Sequence, residues 1–306
     1  MNFNVTLHGE KPLFLKNPII TASGTFGYGL EFAPYGDLTQ LGGIVVKGLS
    51  LKPRAGNASP RIAETTGGML NAVGLQNDGV ESFIRDKLPR LPWKETAIIA
   101  NIYASTPEEF AELADVLSAE QGVAALEVNI SCPNVHEGGV LFGQDPFMAA
   151  KVTEAVCKKS RNKPVIIKLS PNVTNIATIA IAVENAGANI ISCINTVAGM
   201  AVDVRTRKPS LANIIGGLSG SAIKPVALRC VWQVSQAVKI PVIGLGGISS
   251  AEDLLEFILV GAHAVQIGTA NFIRPDFSFT IIQDLVKICK EYGISDLSSF
   301  RASLKI

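Results

Sequence analysis

Leu126, Glu127, Val128, Asn129 and Ile130 run directly into Ser131, Cys132, Pro133 and Asn134. The alternating apolar residues mark a short strand. It ends in an amide, a hydroxyl, a thiol and a proline. Polar groups at the end of a buried strand cost free energy unless they are used, and α/β proteins put their chemistry at that edge. The next loop carries Gly138, Gly139 and Gly143 around His136 and Glu137. A thiol beside a glycine-flanked loop suggests an acid or base beneath a lid. The plainer reading is a small cysteine that only packs.

Outward from this strand the same pattern repeats. Short β-branched runs cover Ile19 to Ala22, Gly43 to Lys47, Ile98 to Ile102, Leu126 to Ile130, Val165 to Leu169, Ile190 to Ile194, Val242 to Leu245 and Ala264 to Gly268. Several are almost wholly apolar, as strands buried on both faces should be. Helical patterns lie between most of them: one opening at Thr106 and Pro107, with Glu108 and Glu109 in its first turn, then Pro146 to Lys159, Ile176 to Ala186, Pro225 to Val238, Ala251 to Val260 and Phe277 to Tyr292. Acids in a first turn and proline at its start both favour helix initiation. Eight βα repeats without a linker predict one (β/α)8 TIM barrel over residues 1–306, with the active site at the C-terminal strand ends. The stretch from Leu49 to Leu91 exceeds a simple connection and is expected to pass over the barrel mouth.

Composition narrows the function classes. The chain has 306 residues, 47% hydrophobic and 17% charged, enough for a barrel-sized core. Its 27 basic and 26 acidic residues give a net charge of +1, and no basic tract stands out. A nucleic-acid or anionic-membrane surface is therefore not expected. The 5 cysteines (Cys132, Cys157, Cys193, Cys230, Cys289) are odd in number and form no C-x-x-C pair. That suits a reduced, intracellular protein without a zinc site or an iron–sulfur cluster of its own, and the cytoplasm is its expected place. Residues 1–15 show neither a charged leader nor an apolar core, and no run is long enough for a membrane span.

Polar and glycine residues gather at the strand ends. Ser23 follows the first strand; Lys47 and Gly48 end the second; Asn101 ends the third; Asn129 and Cys132 the fourth; Lys168 and Ser170 the fifth. Asn195 and Thr196 follow the sixth, Gly246 and Gly247 the seventh, Gly268 and Thr269 the eighth. Singly, a lysine there snorkels to water and a glycine pair is a turn. Together they point to a site. Glycines after strands seven and eight suit a phosphate held by backbone N–H groups. Gly244, Gly246 and Gly247 lack the third glycine and the acid of a dinucleotide fingerprint, so a mononucleotide is expected. Lys168 lies in an apolar run and needs an anionic partner, which a reduced flavin would supply.

Ala22 to Gly27, Val46 to Gly48, Asn71 to Asn77, Asn129 to Asn134 and Asn195 to Met200 resemble, in order, the motifs of the dihydroorotate dehydrogenases. The likeness spans essentially the whole chain and is strongest to the soluble, NAD-linked class 1B branch. It implies one FMN per chain and oxidation of (S)-dihydroorotate to orotate in de novo pyrimidine (UMP) biosynthesis. It implies flavin contacts from Ser23, Lys47, Gly48, Asn101, Asn129, Lys168, Ile194, Gly220, Gly246, Gly247, Gly268 and Thr269. It implies substrate contacts from Lys47, Asn71, Ala72, Val73, Gly74, Leu75, Asn129, Asn195 and Thr196. Asparagine amides both donate and accept, which matches the N–H and C=O groups of a dioxopyrimidine. Cys132 would take the proton from C5 while hydride passes from C6 to FMN.

The resemblance also implies two catalytic chains paired within a heterotetramer. An electron-transfer subunit carrying FAD and a 2Fe–2S cluster would relay electrons to NAD. Membrane-bound, quinone-using relatives carry serine where this chain has Cys132, and also an N-terminal membrane extension; both differences favour the soluble branch. Three other readings stand beside it. One is the fumarate-using class 1A, from which Gly24 to Gly29 and Arg205 to Lys208 differ. Another is a dihydropyrimidine dehydrogenase-like flavoprotein, which usually has histidine where this chain has Asn134. The third is a flavin-binding scaffold without catalysis, which would have no use for Cys132 and the asparagines.

Overall fold

The computed structural model describes residues 3–131 and 142–305. Cys132, His136, Glu137, Gly138 and Gly139 lie outside the described residues. Eight parallel strands close into a barrel in chain order: β1 (Ile19–Thr21), β2 (Gly43–Val45), β3 (Ala97–Ile102), β4 (Ala125–Asn129), β5 (Val165–Leu169), β6 (Ile190–Cys193), β7 (Val242–Leu245) and β8 (Ala264–Ile267). Strand β8 pairs back onto β1, Val265 opposite Ile19. Each expected strand is present, with ends shifted by at most a residue or two.

Six longer helices pack outside: α1 (Pro107–Ala119), α2 (Pro146–Lys159), α3 (Ile176–Asn185), α4 (Lys224–Ala237), α5 (Ala251–Leu259) and α6 (Phe277–Glu291). Their starts are chemically marked. Thr106 accepts from Glu109 N, Asp145 from Met148 N, Asn175 from Ala177 N and Ser250 from Asp253 N. Each bond satisfies an N–H that the first turn would otherwise leave open, worth about 1 kcal/mol. No helix among the described residues is long and apolar enough to cross a membrane.

The period of two in each strand decides what fills the barrel. Ile20, Val45, Ile99, Ala125, Ile166, Ile190, Ile243 and Ala264, one from each strand, form a dry lower layer. An N-terminal hairpin, Val5–Leu7 with Leu13–Leu15, closes that end with Leu7, Leu13 and Leu15. Truncating one of these isoleucines to alanine would cost about 2–5 kcal/mol. Two residues further along every strand lies the next inward layer, and it is largely polar.

The excursion after β2 is larger than the sequence suggested. Ile62–Thr65 and Gly68–Asn71 form a hairpin, and this joins Ile215–Ser219 and Val197–Met200 from the connection after β6. The resulting four-stranded antiparallel sheet ties two distant loops together over the mouth.

Candidate active site

Ala22, Lys47, Asn101, Glu127, Lys168, Ser192, Leu245 and Gln266 follow the dry layer by two residues each. The Glu127 carboxylate is fully buried, and the Lys168 side chain is only 6% exposed. Glu127 Oε1 accepts from Asn101 Nδ2 at 2.7 Å and from Lys168 Nζ at 3.5 Å. Its Oε2 accepts from Gln266 Nε2. The sequence called for an anionic partner to Lys168, and a flavin was expected in that role. The structure adds a resident carboxylate as a partner, because β4 and β5 are neighbours and Asn129 lies opposite Lys168 in their register, which puts Glu127 and Lys168 on the same inward face. Glu127 and Gln266 were not anticipated. The signal was an acid in the middle of an apolar strand.

Above this layer the asparagines meet. Asn129 Oδ1 accepts from Ser131 N at 3.1 Å and from Asn195 Nδ2 at 3.3 Å. Asn195 Oδ1 accepts from Thr196 N at 2.8 Å. Gly217 is jammed against Thr196, where an added Cβ would come within 2.1 Å of Oγ1. Asn71 pairs with Gly217 and donates Nδ2 to its carbonyl at 3.3 Å. The antiparallel sheet thereby carries Asn71 to the residues that follow β6. Ala72, Val73, Gly74 and Leu75 continue from it, and Leu75 Cδ2 comes within 3.5 Å of a Cβ built on Gly48. Lys47, next to Gly48, is half-buried. Burial, with Arg61 nearby, holds its ammonium below the usual lysine range.

The glycine segments form the opposite flank. Gly246 and Gly247 have φ of 123° and 86°, in the left-handed region. A Cβ on Gly247 would lie 2.8 Å from Lys224 N, so the loop sits hard against the start of α4. Helix α4 has no side-chain cap. Lys224 Nζ bonds Asp253 Oδ1 at 2.6 Å and Glu256 Oε1 at 3.0 Å. Asp253 Oδ2 accepts from both N and Oγ of Ser249 at 2.8 Å. Burial opposes both charges of the Lys224–Asp253 pair, but their hydrogen bonds win: Asp253 is pulled below and Lys224 raised above the ordinary values. This latch fixes the β7 loop between two helix starts. Thr269 Oγ1 donates to Ser219 Oγ at 2.8 Å, which brings Gly220 to the β8 loop beside Gly268. Gly268 faces Ala22, one residue before Ser23. Ile194 N and Asn195 N bond Leu245 O and Leu169 O, fixing the end of β6 to both neighbours.

The described thiols are poor bases. Burial raises all four, Cys157 to about 11 and Cys193 well beyond the ordinary value. The cofactor-binding and substrate-binding candidates all lie at the C-terminal mouth, on the strand ends or on the sheet above. Asn101 Oδ1, Ser192 Oγ and Gln266 Oε1 are buried without a hydrogen-bond partner among the described residues. Thr21, Thr65 and Ser118 also carry open hydroxyls, so openness alone marks no site. Asn101, Ser192 and Gln266 share the inward layer that holds Lys168, where an open polar atom is expensive unless a ligand meets it. Open acceptors beside a buried ammonium, with a glycine loop on the far flank, fit an FMN ring and phosphate.

A family model described as "Dihydroorotate dehydrogenase" matches residues 5–289. Three curated relatives are named "Dihydroorotate dehydrogenase B (NAD(+)), catalytic subunit". The one from Solidesulfovibrio magneticus is 71% identical over 292 residues, covering 95% of this chain and 95% of the relative. That from Maridesulfovibrio salexigens is 65% identical over 306 residues, covering 100% and 99%. That from Pelobacter propionicus is 58% identical over 293 residues, covering 96% of each.

Proposed function

The chain belongs to the dihydroorotate dehydrogenase family, and we propose that within it the chain is the catalytic subunit of the NAD-linked enzyme. It oxidises (S)-dihydroorotate to orotate in pyrimidine biosynthesis, as one FMN-binding barrel domain. The observation that carries this reading is the convergence of Asn71, Asn129, Asn195 and Thr196 over a buried ammonium–carboxylate layer. The family is FMN-dependent, and FMN when bound supplies the acceptor for the hydride of C6.

The chain's own residues do the rest. Lys47 neutralises the substrate carboxylate. The asparagine amides and Thr196 orient the ring, fixing which face meets the flavin. Lys168, Asn101 and the Gly246–Gly247 loop hold the cofactor's polar edges. Cys132 takes the C5 proton as general base, a contribution commonly worth about 10²–10⁴-fold. The described cysteines are all held in the thiol form by burial, so none of them competes for that role.

The words "catalytic subunit" and "NAD(+)" in the relatives' names support a separate electron-transfer subunit. We assign that subunit FAD and a 2Fe–2S cluster, with two catalytic chains paired in a heterotetramer in the cytoplasm. The test is steady-state oxidation of dihydroorotate by the isolated FMN-loaded chain. Turnover with an artificial dye, and with NAD only after the second subunit is added, is the expected result. NAD reduction by the single chain would overturn the partner assignment. Rapid turnover with fumarate would do the same.

A further inference from the structure

Glu127 is the most deeply buried charge of the barrel interior, and nothing in the reaction just described uses it. Its carboxylate gathers three donors from three other strands: Asn101 on β3, Lys168 on β5 and Gln266 on β8. The contacts are unequal. Asn101 Nδ2 takes Oε1 at 2.7 Å, while the Lys168 ammonium shares that oxygen at 3.5 Å. An ammonium has three protons to donate, and a single long bond leaves it partly uncommitted. The Asn101 amide is likewise committed only at its nitrogen. Its Oδ1 is open among the described residues and lies 3.0 Å from a Cβ built on Gly48, at the rim.

We propose that Glu127 is a positioning residue for the flavin. It holds Lys168 and Asn101 in one arrangement beneath the mouth. By offsetting the ammonium's charge, it also limits how strongly the site favours the anionic reduced cofactor. The inference rests on the FMN reading above. A buried ammonium with no counter-charge would be costly by itself and would draw electrons strongly to any group placed over it. With the carboxylate at 3.5 Å the pair is neutral, so the field at the mouth is that of an oriented dipole rather than of a full charge. Asn101 and Gln266 supply the hydrogen bonds that make the buried carboxylate tolerable.

The test is the midpoint potential of bound FMN, measured anaerobically by equilibration with a reference dye, in the native chain and in Glu127→Gln and Glu127→Asp. Glutamine keeps the shape and removes the charge, so the potential should move to more positive values. Aspartate keeps the charge but withdraws it by one methylene, so the shift should have the same sign and be smaller. Should Glu127→Gln not accumulate in folded form, the aspartate variant carries the reading. Native potential in every variant that binds FMN would overturn the proposal, even if thermal stability or FMN content fell, because a purely structural role moves only those. A shift to more negative potential would overturn it too. Dye equilibration needs no dihydroorotate. A chain that binds FMN but fails to oxidise that substrate would refute the proposed function and leave this measurement intact.

Discussion

Asn195 Nδ2 donates to Asn129 Oδ1 at 3.3 Å, joining the ends of β6 and β4 across the intervening β5. With Ser131 N on the same oxygen, the Asn129 amide is held in one orientation before any ligand arrives. Pre-set amides bind a planar ring without first losing rotational freedom. Removing one strands its partner, at about 1–3 kcal/mol. Asn129→Ala and Asn195→Ala should therefore each lower kcat/KM for dihydroorotate by roughly 5- to 150-fold. The double variant should lose less than the product of the two, because the residues share a bond. Strictly multiplicative losses would show that they act independently.

Lys47 sets a pH limit on carboxylate binding. Burial and Arg61 place its proton loss below the ordinary lysine value of 10.5. The Kd for orotate, measured by quenching of flavin fluorescence, should rise with pH as the ammonium is lost, starting earlier than for an exposed lysine. Lys47→Arg keeps its charge throughout and should remove that limb. A native orotate Kd that stays flat through the alkaline range would contradict the assignment.

The Lys224–Asp253–Ser249 latch should pre-form the glycine loop for phosphate. Asp253→Asn keeps the size and weakens the ion pair. FMN titration into the stripped protein should then show a Kd raised about tenfold, equivalent to ~1.4 kcal/mol. Unchanged affinity would mean that the loop's backbone alone sets its shape.

His263 gives the fold an acid limit. Burial, followed by Arg301, pushes its imidazole down to about 4, and Nδ1 accepts from Val242 N at 3.3 Å. The unfolded chain would take up that proton near 6.5 and the folded chain only near 4. Its stabilising contribution is complete above 6.5 and is lost as pH falls towards 4, a loss of about 3 kcal/mol. Denaturant unfolding at stepped pH should show that slope, and His263→Leu should flatten it. An identical slope in the variant would sink this attribution.

The barrel was legible because its strands are β-branched runs buried on both faces, such as Val165 to Leu169, and its helices carry capping residues such as Thr106 and Ser250. The rim residues were legible because polar groups interrupt those runs at one end. The antiparallel sheet was not. Its strands are short and partly exposed, Ile215–Ser219 contains two glycines, and Asn71 meets Gly217 across 146 residues of chain. No local pattern encodes such a pairing. Glu127 was visible as a letter, but its meaning depends on strand neighbours: only the β3–β4–β5 order sets Asn101 and Lys168 on either side of it.

Anaerobic mixing of dihydroorotate with the FMN-loaded chain and with its Cys132→Ala variant, followed at the flavin absorption band, bears most directly on the site as assigned. The native flavin should bleach with release of one orotate per flavin, and the alanine variant should bleach about 10²–10⁴-fold more slowly. A native flavin that stays oxidised in the presence of dihydroorotate would contradict the assigned reaction, and an alanine variant as fast as native would remove Cys132 as its base.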